Sequence, residues 1–262
     1  MKEKTMKFKR YFFLIIGFLF ITFNSKGAET FKNESLNYVI SYKWGLIHKE
    51  SGDATLSLLN KGDYYELKLT GKTRPWADKF YQIRDTLIGK VMKDGFRPLS
   101  YTKIAHEKGK YGRDDIKYAY EGSKVKADIS KYRENKNKEE SLRTYNVEGI
   151  LPAYDMLSVF YFLRQIDYSK LNKKEEIKST IFSGQLAEEL TVRYEGIEKI
   201  KLYDKSQTDA YHIVFKFTSG GKKKTSDDID AWISMDSAHI PLLVIGSLPV
   251  GQVRCYYVSI SK

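Results

Sequence analysis

Residues 152–166 read PAYDMLSVFYFLRQI, and the interpretation of the whole fold begins with them. Leu157, Phe160, Tyr161 and Arg164 stand at the i, i+3, i+4 and i+7 positions of a helix. Pro152 suits a first helical turn, where its missing N–H would have no partner. The other sides of this helix are also apolar, at Met156, Val159, Phe162 and Leu163. A helix that is apolar all round is enclosed by protein, so the sequence predicts one buried helix near 153–166.

The sequence on both sides of this helix alternates between apolar and polar residues, which is the period of a β-strand. Tyr65, Leu67 and Leu69, for example, alternate with Glu66 and Lys68. Short segments rich in Asn, Asp and Gly separate about a dozen such runs, as in an antiparallel meander. We therefore predict a mainly β fold, in which a large, strongly curved antiparallel sheet or an open β-barrel surrounds the helix.

The residues from 28 to 262 have the length of one large β domain. A weak internal similarity relates two hairpins, in each of which one strand ends at an Asp and a Pro begins the next. The first runs from Ile83–Asp85 to Pro98, and the second from Trp232–Asp236 to Pro241. Two readings stay open: duplicated halves on either side of the helix, or one hairpin design used twice.

Residues 1–27 have the order of a cleavable signal peptide: a basic start, a largely apolar run at 11–23 and a short polar end. Ser25 and Gly27 are small residues at the positions that a cut after Gly27 requires. The apolar run would span about 20 Å as a helix, short of a bilayer core, which disfavours a retained anchor. We expect an exported protein, located in the periplasm, with no transmembrane span after cleavage.

The composition excludes some classes of binding partner but does not identify one. The chain has a formal net charge of +12 and stays basic after the first 27 residues are removed. Nucleic acid is not an expected partner of an exported chain with scattered charge, whereas weak attraction to anionic lipid or glycan surfaces is compatible with it. Cys255 is the one cysteine, so no intramolecular disulfide can form, and a core position in a strand is expected for it.

No pattern of catalytic, metal or cofactor-binding residues is found. The chain has neither a Gly-x-Ser-x-Gly motif nor a phosphate-binding glycine loop, and its four histidines are far apart. We therefore predict no catalytic residue, no metal and no cofactor. Arg164 in an apolar helix needs a buried partner, so we predict a structural polar network of Asp85, Asp155, Arg164 and Asp236. Asp85 or Asp236 is the expected partner of Arg164, and an acid/base pair of these two aspartates is the alternative.

Four segments in this order resemble a bacterial cell-envelope family known as domain of unknown function 3108. They are 45–56, 80–85, the Asp-x-Leu-Ser-x-x-Tyr-x-x-Arg core of 155–164, and 232–241 with Gly251. A looser similarity, of architecture alone, is to the half-barrels of periplasmic lipoprotein carriers. The resemblance implies export and a β-rich fold, and it supplies no catalytic residue.

The first functional hypothesis is a non-catalytic binding or carrier module for a hydrophobic or glycan ligand. Its candidate lining residues are aromatic: Trp44, Trp76, Phe80, Tyr81, Phe160, Tyr161 and Trp232. The alternative is an envelope assembly or scaffolding factor that acts through protein contacts, with the charged loop at 131–140 as a working surface. A hydrolase of envelope polymers is the third possibility, disfavoured because no motif supports it.

Overall fold

The computed structural model describes residues 31–219, 228–247 and 251–261, so the predicted signal peptide lies outside the described residues. Within these ranges there are fifteen strands, two short α-helices and one 3-10 helix, Tyr168–Lys170. The helices are α1 (Pro75–Asp78) and α2 (Ser158–Gln165). The strands are β1 (Glu34–Trp44), β2 (Ile47–Asn60), β3 (Tyr64–Thr73), β4 (Ile83–Met92), β5 (Pro98–Glu107), β6 (Lys110–Glu121), β7 (Lys124–Glu134), β8 (Glu140–Ile150), β9 (Ala153–Asp155), β10 (Glu176–Phe182), β11 (Ala187–Lys201), β12 (Gln207–Ser219), β13 (Ile229–Ser234), β14 (Pro241–Ser247) and β15 (Gln252–Ser261).

All fifteen strands belong to one sheet, in the order β8-β7-β6-β5-β4-β3-β2-β1-β15-β14-β13-β12-β11-β10-β9. Every neighbouring pair is antiparallel except β9 with β10. The sheet curves into a nearly closed barrel, which confirms the predicted mainly β fold with a curved sheet around a helix. Among the described helices, none has the length and apolar character needed to cross a bilayer. The duplication of two halves stays a prediction.

The two ends of the barrel differ, and each is defined by its turns. One end, here called the rim, carries the turns at 45–46, 74–82, 108–109, 135–139 and 183–186. The other, here called the plugged end, carries the turns at 61–63, 93–97 and 122–123. Because the chain is a meander, alternate turns fall at the same end.

The barrel closes where β8, at one end of the strand order, packs closely on β10, the neighbour of the short end strand β9. Thr180 Oγ1 on β10 donates to the Ile150 carbonyl on β8 at 2.7 Å. A Cβ atom added to Gly149 would lie 2.7 Å from Thr180 Cγ2 and 3.0 Å from Phe182 Cζ. Glycine at position 149 therefore lets β8 come this close to β10.

Helix α2 is shorter than predicted and begins at Ser158. Residues 153–155 are extended and pair with β10 as β9, so Pro152 precedes a strand and does not open the helix. Asp155 Oδ1 accepts the amides of Leu157 at 2.9 Å and Ser158 at 2.7 Å, while Ser158 Oγ accepts the Asp155 amide at 2.9 Å. This reciprocal bonding satisfies the free N–H groups of a helix start, which explains where α2 begins.

The helix is enclosed, as its apolar circumference predicts. Leu157 and Tyr161 join one buried cluster, formed mainly with β1–β7 together with residues of β9–β12 and β14, and Val159 and Leu163 join a second, formed with β9–β13. Leu157 packs on the backbone of Gly89, where an added Cβ would meet its Cδ2 atom at 3.3 Å. The helix thus joins the two halves of the sheet into one packed interior.

The plugged end is filled by aromatic rings around an ion pair. Phe31 makes edge contacts with Tyr65, Phe96 and Tyr161 at centroid distances of 5.3–6.4 Å. Arg164 at the end of α2 pairs with Glu34 and lies 4.8 Å from the Phe31 ring centre. The segment before β1 is therefore part of the core at this end.

Candidate functional site

The inner face of the sheet changes character from the plugged end to the rim. Leu56 and Leu67 are buried, whereas residues further along these strands on the same face, Ala54 and Gly71, are partly exposed. The register continues this row through Asp85 on β4 and Ala105 on β5. A Cβ added at Gly71 would meet no atom within 4 Å, so space lies above it. We call this surface the inner trough; it comprises Ala54, Gly71, Asp85, Ala105, Ile40 and Cys255.

Cys255 lies in the inner trough, paired with Ile40 of the neighbouring strand β1. Burial raises the pKa of its thiol to about 11, yet the side chain is only partly buried. Its strand neighbour Ile40 is partly exposed too. The raised pKa keeps the thiol protonated at neutral pH, which does not suit a nucleophile.

Charged side chains flank the inner trough on β4–β7. Lys103 Nζ lies 3.6 Å from Asp85 Oδ2, and Lys131 Nζ lies 3.1 Å from Asp114 Oδ2. Arg133 also pairs with Asp114. Burial raises the pKa of the Asp85 carboxyl, an effect that Lys103 opposes, and Asp85 Oδ1 has no hydrogen-bond partner among the described residues. The trough is therefore lined by small or apolar side chains on one side and by ion pairs on the other.

Aromatic residues of the β3–β4 connection lie at the rim. Trp76 Nε1 donates to the Glu50 carbonyl at 2.6 Å, and its ring lies 6.2 Å from that of Phe80. Tyr81 donates to Glu107 Oε2 at 2.6 Å, which raises the pKa of the phenol. Phe80 is 73% exposed, so this connection presents an aromatic surface to solvent.

Arginines hold the carboxylates beside this connection. Arg74 grips Asp53 through Nη2 at 2.7 Å and Nε at 3.2 Å, and it also pairs with Glu50. Hydrogen bonds from Arg74 lower the pKa of Asp53, and one from Tyr203 lowers that of Glu50. Carboxylates with lowered pKa values stay ionised at neutral pH and do not suit the role of general acid. The ion pairs instead fix the loop that carries the aromatic residues.

Two grooves are found on the sheet. One, of about 330 Å³, follows the seam between β8 and β10–β11. The other, of about 400 Å³, lies over β2–β5 and is lined by Asp53, Thr55, Thr70, Lys72, Arg84, Thr86 and His106 together with three residues of the inner trough, Ala54, Gly71 and Asp85.

The seven aromatic residues predicted to line a site are dispersed. Trp76, Phe80 and Tyr81 lie together at the rim, whereas Phe160 and Tyr161 belong to α2 and its core contacts. Trp232 on β13 stacks on His212 at 4.6 Å and donates to Glu198 at 3.0 Å. Trp44 is the last residue of β1, and its side chain lies outside the described part of the structure.

The four residues predicted to form a polar network are also separated. Arg164 pairs with Glu34 and donates from Nε to the Ala238 carbonyl at 3.0 Å, so Asp85 or Asp236 as its partner was wrong. Asp236 accepts from Ser234 Oγ at 2.7 Å within its own turn, Asp155 starts α2, and Asp85 pairs with Lys103. The pairing with Glu34 follows from the direction of α2, because its C-terminal end lies at the plugged end, where β1 begins.

Sequence reasoning overlooked the charged flank of the trough. Lys103 is in phase with the buried Tyr101 on β5, and Lys131 with the buried Ile129 on β7. A charged residue at an inward position of an amphipathic strand is a readable signal. No group of three or more His, Cys, Asp or Glu side chains within the described ranges is placed to bind a metal.

These features define a barrel-like antiparallel β protein with one end packed and a trough at the other. The chain belongs to the family described as "Protein of unknown function (DUF3108)", whose profile matches residues 37–257. Its fold is similar to that of a β-barrel-like protein of domain of unknown function DUF1849 from Brucella abortus. That match has a TM-score of 0.57 and 11% identity, and it covers 88% of this chain and 97% of the other. No curated protein gives a significant sequence match.

Proposed function

We propose that the chain is an exported, periplasmic cell-envelope protein that binds a hydrophobic ligand, without catalysis, in the inner trough. The observation that carries this proposal is the open space above Gly71, on an inner face that is core elsewhere. Export is proposed from the order of basic, apolar and small residues in 1–27.

The lining of the trough suits an amphipathic ligand with an acyl chain. Ile40, Ala54 and Ala105 offer small or apolar side chains to a chain of methylenes, each of which contributes about 0.8 kcal/mol when buried. Lys103 and Lys131 on the ionic flank can contact an anionic head group. Such a division of apolar and polar lining is typical of small-molecule sites.

A non-catalytic role fits the state of the reactive groups near the trough. The Cys255 thiol is protonated because burial raises its pKa. Asp114 is engaged by Lys131 and Arg133, and the rim carboxylates Asp53 and Glu50 are held by Arg74. These groups stabilise the structure, and none forms a pair of nucleophile and base.

The test fills the trough and measures binding. In Gly71→Phe the added ring enters the open space, so we expect the affinity for a dansyl-labelled fatty acid to fall at least about tenfold. The matched control is Thr70→Phe, which places the same ring on the outer face of the same strand and should bind like the wild type.

A second readout uses the single cysteine. Saturating fatty acid should slow the reaction of Cys255 with a small thiol reagent in the wild type but not in Gly71→Phe. Native mass spectrometry of protein isolated from the envelope should show a bound lipid. Equal binding by the two Phe variants, or repeated isolation of ligand-free protein that does not bind the probe, would overturn the proposal.

A further inference from the structure

The turns at the rim carry apolar side chains that project beyond the strands. Leu46, in the turn between β1 and β2, is 105% exposed, and Phe80, after α1, is 73% exposed. Leu186, in the turn between β10 and β11, is 53% exposed. At the plugged end, the exposed Leu59 and Ile150 lie within strands, and Met235, in the turn between β13 and β14, is less exposed at 42%. Apolar side chains at the tips of turns can be buried in an apolar environment outside the protein without any distortion of the sheet.

Lysines without carboxylate partners lie in these rim turns or in the strand residues beside them. Lys49, Lys79, Lys108 and Lys110 are exposed and make no ion pair within the described residues. Lys49 lies over the Trp76 ring at 4.4 Å, and Lys108 lies over the Tyr81 ring at 4.7 Å. The mixture of exposed apolar, aromatic and lysine side chains is typical of protein surfaces that lie in a membrane interface.

Several acidic groups near the rim are held in ion pairs. Arg74 pairs with Glu50 and Asp53, and Arg84 pairs with Asp78 at 2.7 Å. In and beside the rim turns, five exposed lysines without an ion pair within the described residues (Lys49, Lys79, Lys108, Lys110 and Lys136) outnumber the glutamates without one (Glu107, Glu139 and Glu140), so the balance of unpaired charge there is positive. A surface of lysines around apolar tips is complementary to anionic head groups above acyl chains.

We infer that the rim docks on the surface of an anionic lipid bilayer, with Leu46 and Phe80 inserted and Lys49, Lys79, Lys108 and Lys110 on the head groups. This orientation points the inner trough at the membrane. The inference does not depend on the ligand proposed above, because it rests on the turns and not on the trough. The two can fail separately: vesicle binding tests the rim, and the fatty-acid probe tests the trough.

The experiment is cosedimentation of the chain from Ala28 onward, which retains every described strand, with lipid vesicles. Binding is expected to vesicles of equal parts phosphatidylglycerol and phosphatidylcholine, and to be much weaker to pure phosphatidylcholine. Replacing two lysines, in Lys79→Glu with Lys110→Glu, should lower the affinity at least about twentyfold, since each charge near the surface contributes about fivefold. Leu46→Ser with Phe80→Ser should lower it at least about tenfold at constant charge.

The matched control places the same polar changes at the plugged end, as Leu59→Ser with Met235→Ser, two residues that are 40% and 42% exposed. This variant should bind vesicles like the wild type. The inference is overturned if the control loses as much affinity as the rim variant. It is equally overturned if the rim variant binds normally, or if the wild type shows no preference for anionic vesicles. Unchanged far-ultraviolet circular dichroism of each variant ensures that folding is not the cause.

Discussion

The ion pair between Arg164 and Glu34 offers the most direct test of how α2 is held in the barrel. The Arg164 side chain is 2% exposed and that of Glu34 is 11% exposed. Arg164 makes a second contact with Glu34, from Nη2 to Oε2 at 3.3 Å, and its Nε donates to the Ala238 carbonyl at 3.0 Å. In Arg164→Met, the methionine can fill most of the volume, but Glu34 is left as a buried charge without a partner.

The expected loss follows from that uncompensated charge. Breaking a buried ion pair by removing one partner costs about 3–5 kcal/mol. For a chain of this size, each kcal/mol shifts the melting temperature by about 2–4 °C, so a drop of roughly 6–20 °C is expected. Thermal unfolding followed by circular dichroism or calorimetry measures it.

Two further variants separate the charge from the packing. Adding Glu34→Gln to Arg164→Met removes the orphaned charge and should recover more than half of the lost stability. Arg97→Met is the control, because Arg97 pairs with the 91% exposed Asp94 at 3.2 Å. Surface pairs contribute about 0–1 kcal/mol, so its melting temperature should fall by no more than about 4 °C. The reasoning is refuted if Arg164→Met melts as the Arg97 control does, or if the double variant is less stable than the single one.

Three other predictions concern the seam, the start of α2 and the leader. Gly149→Ala should lower the free energy of unfolding, measured in urea, by about 1–3 kcal/mol, because the added Cβ would lie 2.7 Å from Thr180. Gly71→Ala is the control and should have no such effect, because no atom lies within 4 Å of its added Cβ. Equal effects of the two substitutions would contradict the close approach of β8 to β10. Burial raises the pKa of Asp155 in the folded protein, so the ionised carboxylate lowers the free energy of unfolding at neutral pH. When the pH falls through the raised pKa toward the unfolded value of about 3.9, the carboxyl becomes protonated and this loss of stability should disappear. Asp155→Asn should therefore be more stable than wild type at pH 7 and lose that advantage near pH 3; lower stability at pH 7 would refute this. Protein from the envelope should begin at Ala28 by intact mass, and an uncut chain retained in the cytoplasm would contradict export.

The strands could be predicted because their alternation is local. Tyr65, Leu67 and Leu69 show which face of β3 is inward without knowledge of any other strand. The helix was predicted from its apolar circumference, but its first turn was misplaced. The hydrogen bonds of Asp155 with Ser158 and the pairing of 153–155 with β10 decide that boundary, and the second of these is not local.

The partner of Arg164 could not be predicted for the same reason. Glu34 is 130 residues away in sequence, and only the direction of α2 within the barrel brings the two together. The charged side of the inner trough could have been predicted in part, because Lys103 has the same inward orientation as the buried Tyr101 in the alternation of β5. What the alternation cannot show is which inward positions the helix covers, because that depends on its length and its place along the barrel axis.

The length of α2 explains why the trough exists at all. Eight helical residues span about 12 Å, whereas the ten residues of β4 span about 34 Å, so the helix covers only part of the inner wall even after strand tilt. Arg164 and Phe31 fix the helix at the plugged end, which leaves the rim half of β1–β7 without a covering element. Large apolar residues in that half would be exposed to water, and the chain has Ala54, Gly71 and Ala105 there, with ion pairs beside them. The small and charged lining follows from a short helix anchored at one end, and an occupant of the trough would complete the interior where the helix stops.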